Sequence, residues 1–232
     1  MPDVSDDQVN ALMAIDARLK PPAPDPLRAE MRAIHDDLVA GVRAGKIDAA
    51  KMSAHYETLD KAADARAELQ RAAFTELHDL LKMRQRHAVV VVLRKRMSEE
   101  SQEPRAPDGG APPDPKKATL DGMAKDLSLD PAQKAAVGAL LASLPPQEAP
   151  HTPEKTLRLR TILATFESDE FDAKKLDVGI VPGKKAHEAV APHVDFITKL
   201  VALLRPAQRE KLAARVDKQR GFIGGIGTYD ED

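Results

Sequence analysis

The 232-residue sequence predicts an all-α fold. Only 3% of the chain is aromatic and none is tryptophan, while Ala, Leu and charged residues abound, a composition suited to helices packed through narrow seams. Apolar residues recur at three- and four-residue spacing, the period of one helix face. Proline repeatedly follows a capping side chain, as in Asp25-Pro26, Asp130-Pro131 and Thr152-Pro153, where its missing N–H costs nothing at the first helical position.

In chain order, Ser5 is a cap for the opening helix. Asp25 caps a second, whose stripe is Leu27, Met31, Ile34, Leu38 and Val42. Asp48 caps a third, reaching about Leu81 through Met52, Tyr56, Leu59, Ala63, Ala73, Leu77 and Leu80. At about 1.5 Å per residue it is roughly 50 Å long. A stripe that narrow and that long belongs in an elongated layer or a coiled coil. Residues 85–96, QRHAVVVVLRKR, ask to be a strand on β-branched propensity. Their fate is decided by an internal repeat.

Residues 98–117 read SEESQEPRAPDGGAPPDPKK, a Pro/Gly-rich linker without a large apolar side chain. On either side of it the chain repeats. Val4-Ser5-Asp6-Asp7-Gln8 matches Leu129-Asp130-Pro131-Ala132-Gln133 at an offset of 125. KIDAAKM (46–52) matches EFDAKKL (170–176) at 124, and LKMRQRHAV (81–89) matches LRPAQREKL (204–212) at 123. The valine run therefore lies over QREKLAARVDKQ, a sequence of good helix formers, and is predicted to be helical too. The second copy differs in its long arm. GIVPGKK (179–185) and Pro192 predict a kink or break there, with Asp172 capping the first piece. The organisation is a first repeat over 1–97, a linker over 98–117, a second repeat over 118–220 and a flexible tail over 221–232.

Composition limits the function. A formal net charge of -2 lacks the cationic excess of a nucleic-acid binder. Without cysteine there is no disulfide framework, thiolate metal site or cysteine nucleophile. No run of about 18 apolar residues predicts a membrane span. The opening MPDVSDDQ is acidic and leads into no signal-type apolar core. The glycine cluster Gly224 to Gly227 lacks the Lys-Ser/Thr of a phosphate loop, and no carboxylate pair stands out as acid and base, so no enzyme is predicted.

The repeated blocks resemble those of the Spy/CpxP family of periplasmic proteins, whose Leu-Thr-x-x-Gln motifs bracket a helix-break-helix with a Phe-Asp-x-x-Lys type junction. The four copies here are Val4 to Gln8, Leu81 to Gln85, Leu129 to Gln133 and Leu204 to Gln208. Each keeps an aliphatic residue and a glutamine four positions on. Ser5, Lys82, Asp130 and Arg205 replace the threonine, and of these only Ser5 and Asp130 are capping types. The resemblance covers nearly everything but the linker and tail. It implies four-helix protomers that pair antiparallel into a thin, elongated, curved cradle, here as a single-chain pseudo-dimer acting as a monomer. It also implies a periplasmic location after removal of a signal peptide, and an ATP-independent chaperone that holds unfolded or partly folded clients on a concave surface.

Segment 82–97 carries six Lys or Arg and no acid around the valines, a composition for client contact. The candidates are Val89, Val90, Val91, Val92, Arg94 and Arg96; the competing reading packs the valines wholly inside. The segment also has the make-up of a membrane-surface helix. No cofactor is expected. Because relatives of the family bind zinc or sense nickel, the alternative function is a metal-binding stress sensor or regulator, with His187 and His193 as weak Zn or Ni candidates beside Glu188. No histidine pair at i, i+4 supports it.

Overall fold

The computed structural model describes residues 4–100, 115–144, 153–175 and 186–218. Among them every regular element is helical: α1 (Asp6–Leu19), α2 (Pro26–Ala44), α3 (Ala49–Leu80), α4 (Met83–Glu100), α5 (Pro115–Leu127), α6 (Pro131–Ser143), α7 (Pro153–Glu167), a 3-10 turn (Ala173–Lys175), α8 (His187–Leu203) and α9 (Pro206–Lys218). The all-α expectation holds, and the valine run is helical within α4.

α1, α2, α3 and α6 begin where the sequence places caps, and Thr152 lies outside the described residues. Ser5 and Asp130 each form a capping box with the glutamine three residues on. Asp25 accepts from the Leu27 amide, and Asp48 Oδ1 from those of Ala50 and Lys51. Asp172 accepts from the amide of Lys174 in the 3-10 turn Ala173–Lys175, the last described residues of that stretch. In the second copy the counterpart of α3 is described as the 3-10 turn (Ala173–Lys175) and α8, which starts at His187. Pro192 lies within α8, and GIVPGKK lies outside the described residues.

Two compact units result, and they do not follow the two halves of the sequence. One is built from α1, the C-terminal half of α3, α4 and α7; the other from α2, the N-terminal half of α3, α5, α6, α8 and α9. The boundaries 1–97 and 118–220 thus mark repeats and not compact bodies. The linker is also shorter than read: residues 98–100 continue α4 and 115–117 open α5, while 101–114 and the tail after 218 lie outside the described residues.

The cause is an exchange of helices between repeats. α2, from the first repeat, packs along α9, from the second; α7, from the second, packs along α4, from the first. Both cores are mixed accordingly. In the larger unit Ile34, Leu38, Val42 and Leu59 meet Val137, Val190, Leu200 and Leu212. In the smaller, Leu81 and Val90 meet Leu163 and Phe166, with Phe74, Leu77, Val89, Met97 and Phe171 around them. Neither repeat has a core without the other.

Candidate functional site: the glutamine pairs and the α4 face

The four motif glutamines all occupy the third position of a helix, in α1, α4, α6 and α9. They join in two reciprocal pairs. Gln8 Nε2 donates to Gln85 Oε1 and Gln85 Nε2 to Gln8 Oε1, both at 3.0 Å. In the other unit Gln133 and Gln208 exchange the same two bonds at 2.9 Å. Each pair also closes chain ends around it. Gln8 donates to the Leu80 carbonyl and Gln133 to the Leu203 carbonyl, both at 2.8 Å, satisfying an acceptor at the end of a helix. Gln85 accepts from the Lys82 amide and Gln208 from the Arg205 amide, both at 2.9 Å. Lys82 and Arg205 cannot cap with their own side chains. The glutamine three residues on supplies the return half of a capping box instead, which explains why α4 and α9 start there.

The aliphatic motif positions differ in burial: Leu81 and Leu204 are core residues, Leu129 is half-buried against its core, and Val4 is exposed. The glutamine is the common element.

The two exchanged interfaces correspond position by position. Arg86 reaches Asp169, and its counterpart Arg209 lies against Gly45, the counterpart of Asp169. Gly45 has φ +79° and ends α2 in the left-handed conformation, so a side chain there would be strained as well as pressed onto the guanidinium. His87 pairs with Glu167; the equivalent pair is Glu210 with Arg43 at 3.7 Å, with the charges reversed. The His87 hydrogen bond, assisted by His87 and Arg94 charge, holds the Glu167 carboxyl below its ordinary range. Inside, Val90 corresponds to Ala213, and Leu163 and Phe166 to Val39 and Val42. A larger side chain stands in the smaller unit at both ends of that comparison.

Along α4 the core face is Arg86, Val90 and Met97, joined by the half-buried Val89. Val90 is 0% exposed, so its place among the contact candidates is corrected: it fills the seam with Leu163 and Phe166. Val91 and Val92 are 48% and 54% exposed, because successive helical residues turn by about 100° and a seam holds only part of a four-residue run. Arg96 is exposed, and Arg94 pairs with Glu167 at 3.4 Å. Leu93 and Met83 also stand out from this helix, two apolar residues missing from the sequence-based set.

Among the described residues, His55, His78, His87 and His187 serve packing and pairing. His78 is buried, stacked on Phe171 with centroids 4.7 Å apart, and its Nε2 bonds the Ser168 carbonyl at 2.8 Å. His55 lies between two carboxylates, with Nδ1 2.5 Å from Glu30 and Nε2 2.8 Å from Asp37. Only an imidazolium donates to both. Burial by itself would lower its pKa; the bonds to Asp37 and Glu30 outweigh this and raise it, while His55 and then Lys51 lower that of Asp37.

His187 and His193, the weak metal candidates, do not sit in one ligand cluster: among the described residues no group of three or more His, Cys, Asp or Glu is disposed for a metal ion. His187 instead meets Asp60. Its amide donates to Asp60 Oδ1 at 2.9 Å, its Nδ1 lies 2.6 Å from Oδ2, and its ring stacks on Tyr56. Ala186 provides no side-chain cap for α8, so Asp60, from α3, caps it across the unit. No described helix is long and apolar enough to cross a membrane. Comparison with family models, characterised proteins and solved structures returned no match.

Proposed function

We propose that the chain is an ATP-independent chaperone of the Spy/CpxP type that holds unfolded or partly folded proteins in the periplasm and slows their aggregation. The observation that carries the reading is the outer face of α4. Val91, Val92 and Leu93 stand exposed beside Arg94, Lys95 and Arg96, in a stretch with no acidic residue between Lys82 and Met97. Apolar side chains attract any exposed apolar client segment without directional demands, at roughly 25 cal/mol per Å² buried. The cations steer acidic segments toward them over about a Debye length. Capture of this kind needs a surface and no nucleotide.

Two features support the family's architecture. The glutamine pairs give its motif a structural use in all four copies, and the helix exchange is what a pair of protomers would show if fused into one chain. On this reading the single chain forms one elongated, curved cradle and acts as a monomer. The contact residues are then Val91, Val92, Arg94 and Arg96, with Val89 at the margin and Val90 inside.

The test is light scattering from a reduced or heat-unfolding client mixed with equimolar protein, without nucleotide, with and without EDTA. Suppression that survives the chelator is expected. No suppression in either condition rejects the reading. Suppression lost with EDTA would favour the metal-dependent alternative.

A further inference from the structure

Beyond the valine run, a second exposed apolar and basic segment lies in the same unit. At the N-terminal part of α7, Leu157 and Leu159 are 64% and 48% exposed, alternating with the exposed Arg158 and Arg160, and no acidic residue occurs from Leu157 to Phe166. Core packing therefore does not explain these leucines. Further along α7 the pattern changes, and Leu163 and Phe166 enter the core.

The two segments belong to one end of one helix pair. α4 and α7 run antiparallel: Arg86 meets Asp169, His87 and Arg94 meet Glu167, and Val90 packs in a cluster with Leu163 and Phe166. Six residues beyond Val90 is Arg96, and six before Leu163 is Leu157. Both lie about 9 Å along their axes from the shared seam, at 1.5 Å per residue, in the same direction. Val91 to Arg96 and Leu157 to Arg160 are thus level with each other.

We propose that this end of the α4–α7 pair docks on the surface of an anionic lipid bilayer. Charge decides the sign of the partner. The whole chain has a net charge of -2, yet over residues 91–100 and 153–160 the cations Arg94, Lys95, Arg96, Lys155, Arg158 and Arg160 outnumber the acids Glu99, Glu100 and Glu154 by six to three; Glu99 pairs with Lys95 at 3.8 Å, and Glu167, further along α7, with His87 and Arg94. Cations near an anionic leaflet strengthen attachment to it. Shape decides its kind. Three consecutive exposed residues sweep about 200° of the α4 circumference, and Leu157 and Leu159 sweep as much of α7. A partner helix needs a single stripe in fixed register, which these side chains do not form, whereas a fluid lipid interface needs no register and takes up those on the side of the pair turned toward it. The long Arg and Lys stems let the charges stay at headgroup level while the leucines and valines enter the acyl boundary.

The inference stands apart from the chaperone reading and would hold for a chain that protects no client. The experiment is cosedimentation of the full chain with vesicles of phosphatidylcholine alone and of phosphatidylcholine with about 30% phosphatidylglycerol, at low salt and at about 0.5 M salt. Binding to the anionic vesicles at least about tenfold stronger than to the neutral ones, and released by salt, is expected. The double variant L157S/L159S should weaken it at least about tenfold with the melting temperature unchanged. Arg160→Glu, a surface change, gives the same reading if that variant folds poorly. Equal partition to both compositions, no binding to either, or binding indifferent to L157S/L159S and to Arg160→Glu overturns the proposal.

Discussion

Gln208 uses both faces of its amide: Oε1 accepts from the Arg205 amide and Gln133 Nε2, and Nε2 donates to the Ser128 carbonyl and Gln133 Oε1. No other side chain of that length both accepts and donates twice. Gln208→Ala should lower stability by about 1–3 kcal/mol, read as a fall in the urea midpoint, since it removes two of the bonds of Gln133 and takes their side-chain partner from the Arg205 amide and the Ser128 carbonyl. Gln208→Glu should cost more, because a carboxylate would face two acceptors. His55 sets a pH dependence. Its pKa is raised from an ordinary 6.5, so the stability it adds is complete below that value and is lost as pH climbs through the folded pKa. Asp37 is lowered from 3.8, so its contribution is present above that value and is lost as pH falls through its folded pKa. Melting temperature should decline on the alkaline side of His55 titration in the native chain, and His55→Gln should flatten that decline. A decline equally steep in the variant would refute the assignment.

At the scale of elements, α4 sets local preference against packing, and packing prevails. Four valines in succession are poor helix formers, yet Val90 fills a seam and the helix runs eighteen residues around it. Val90→Asp should destabilise by about 3 kcal/mol or more, by placing a charge between Leu163 and Phe166. Val91→Asp and Val92→Asp should each change stability by no more than about 0.5 kcal/mol, as exposed positions do. Chemical denaturation of the three variants separates the two faces. The starts of α1, α2, α3 and α6 were legible in Ser5, Asp25, Asp48 and Asp130, because a side-chain cap lies beside the helix it serves. The starts of α4 and α9 were not legible as caps in Lys82 and Arg205, because the capping atom belongs to the third helical residue. The start of α8 was hidden altogether: its cap, Asp60, lies 127 residues away in sequence.

For the whole molecule, the repeat was readable and the exchange was not. The offsets place Gln85 over Gln208 and Val90 over Ala213, but an apolar stripe such as Ile34, Leu38 and Val42 looks the same whichever repeat covers it. Only the structure assigns that stripe to α9 and the stripe of α7 to α4. The exchange has a direct consequence. A fragment of residues 1–100 and one of 115–218 should each be poorly folded alone and should combine one to one on mixing, with a gain in helicity by circular dichroism. Two fragments that fold separately and ignore each other would contradict the mixed cores. The chaperone reading adds that this exchanged assembly exposes a working face on α4. The most direct measurement is client aggregation in the presence of the wild-type chain and of the V91D/V92D double variant, with folding of both verified by thermal melts. The account predicts that wild type suppresses scattering and that V91D/V92D, equally folded, loses most of that protection; equal protection by the two proteins would contradict it.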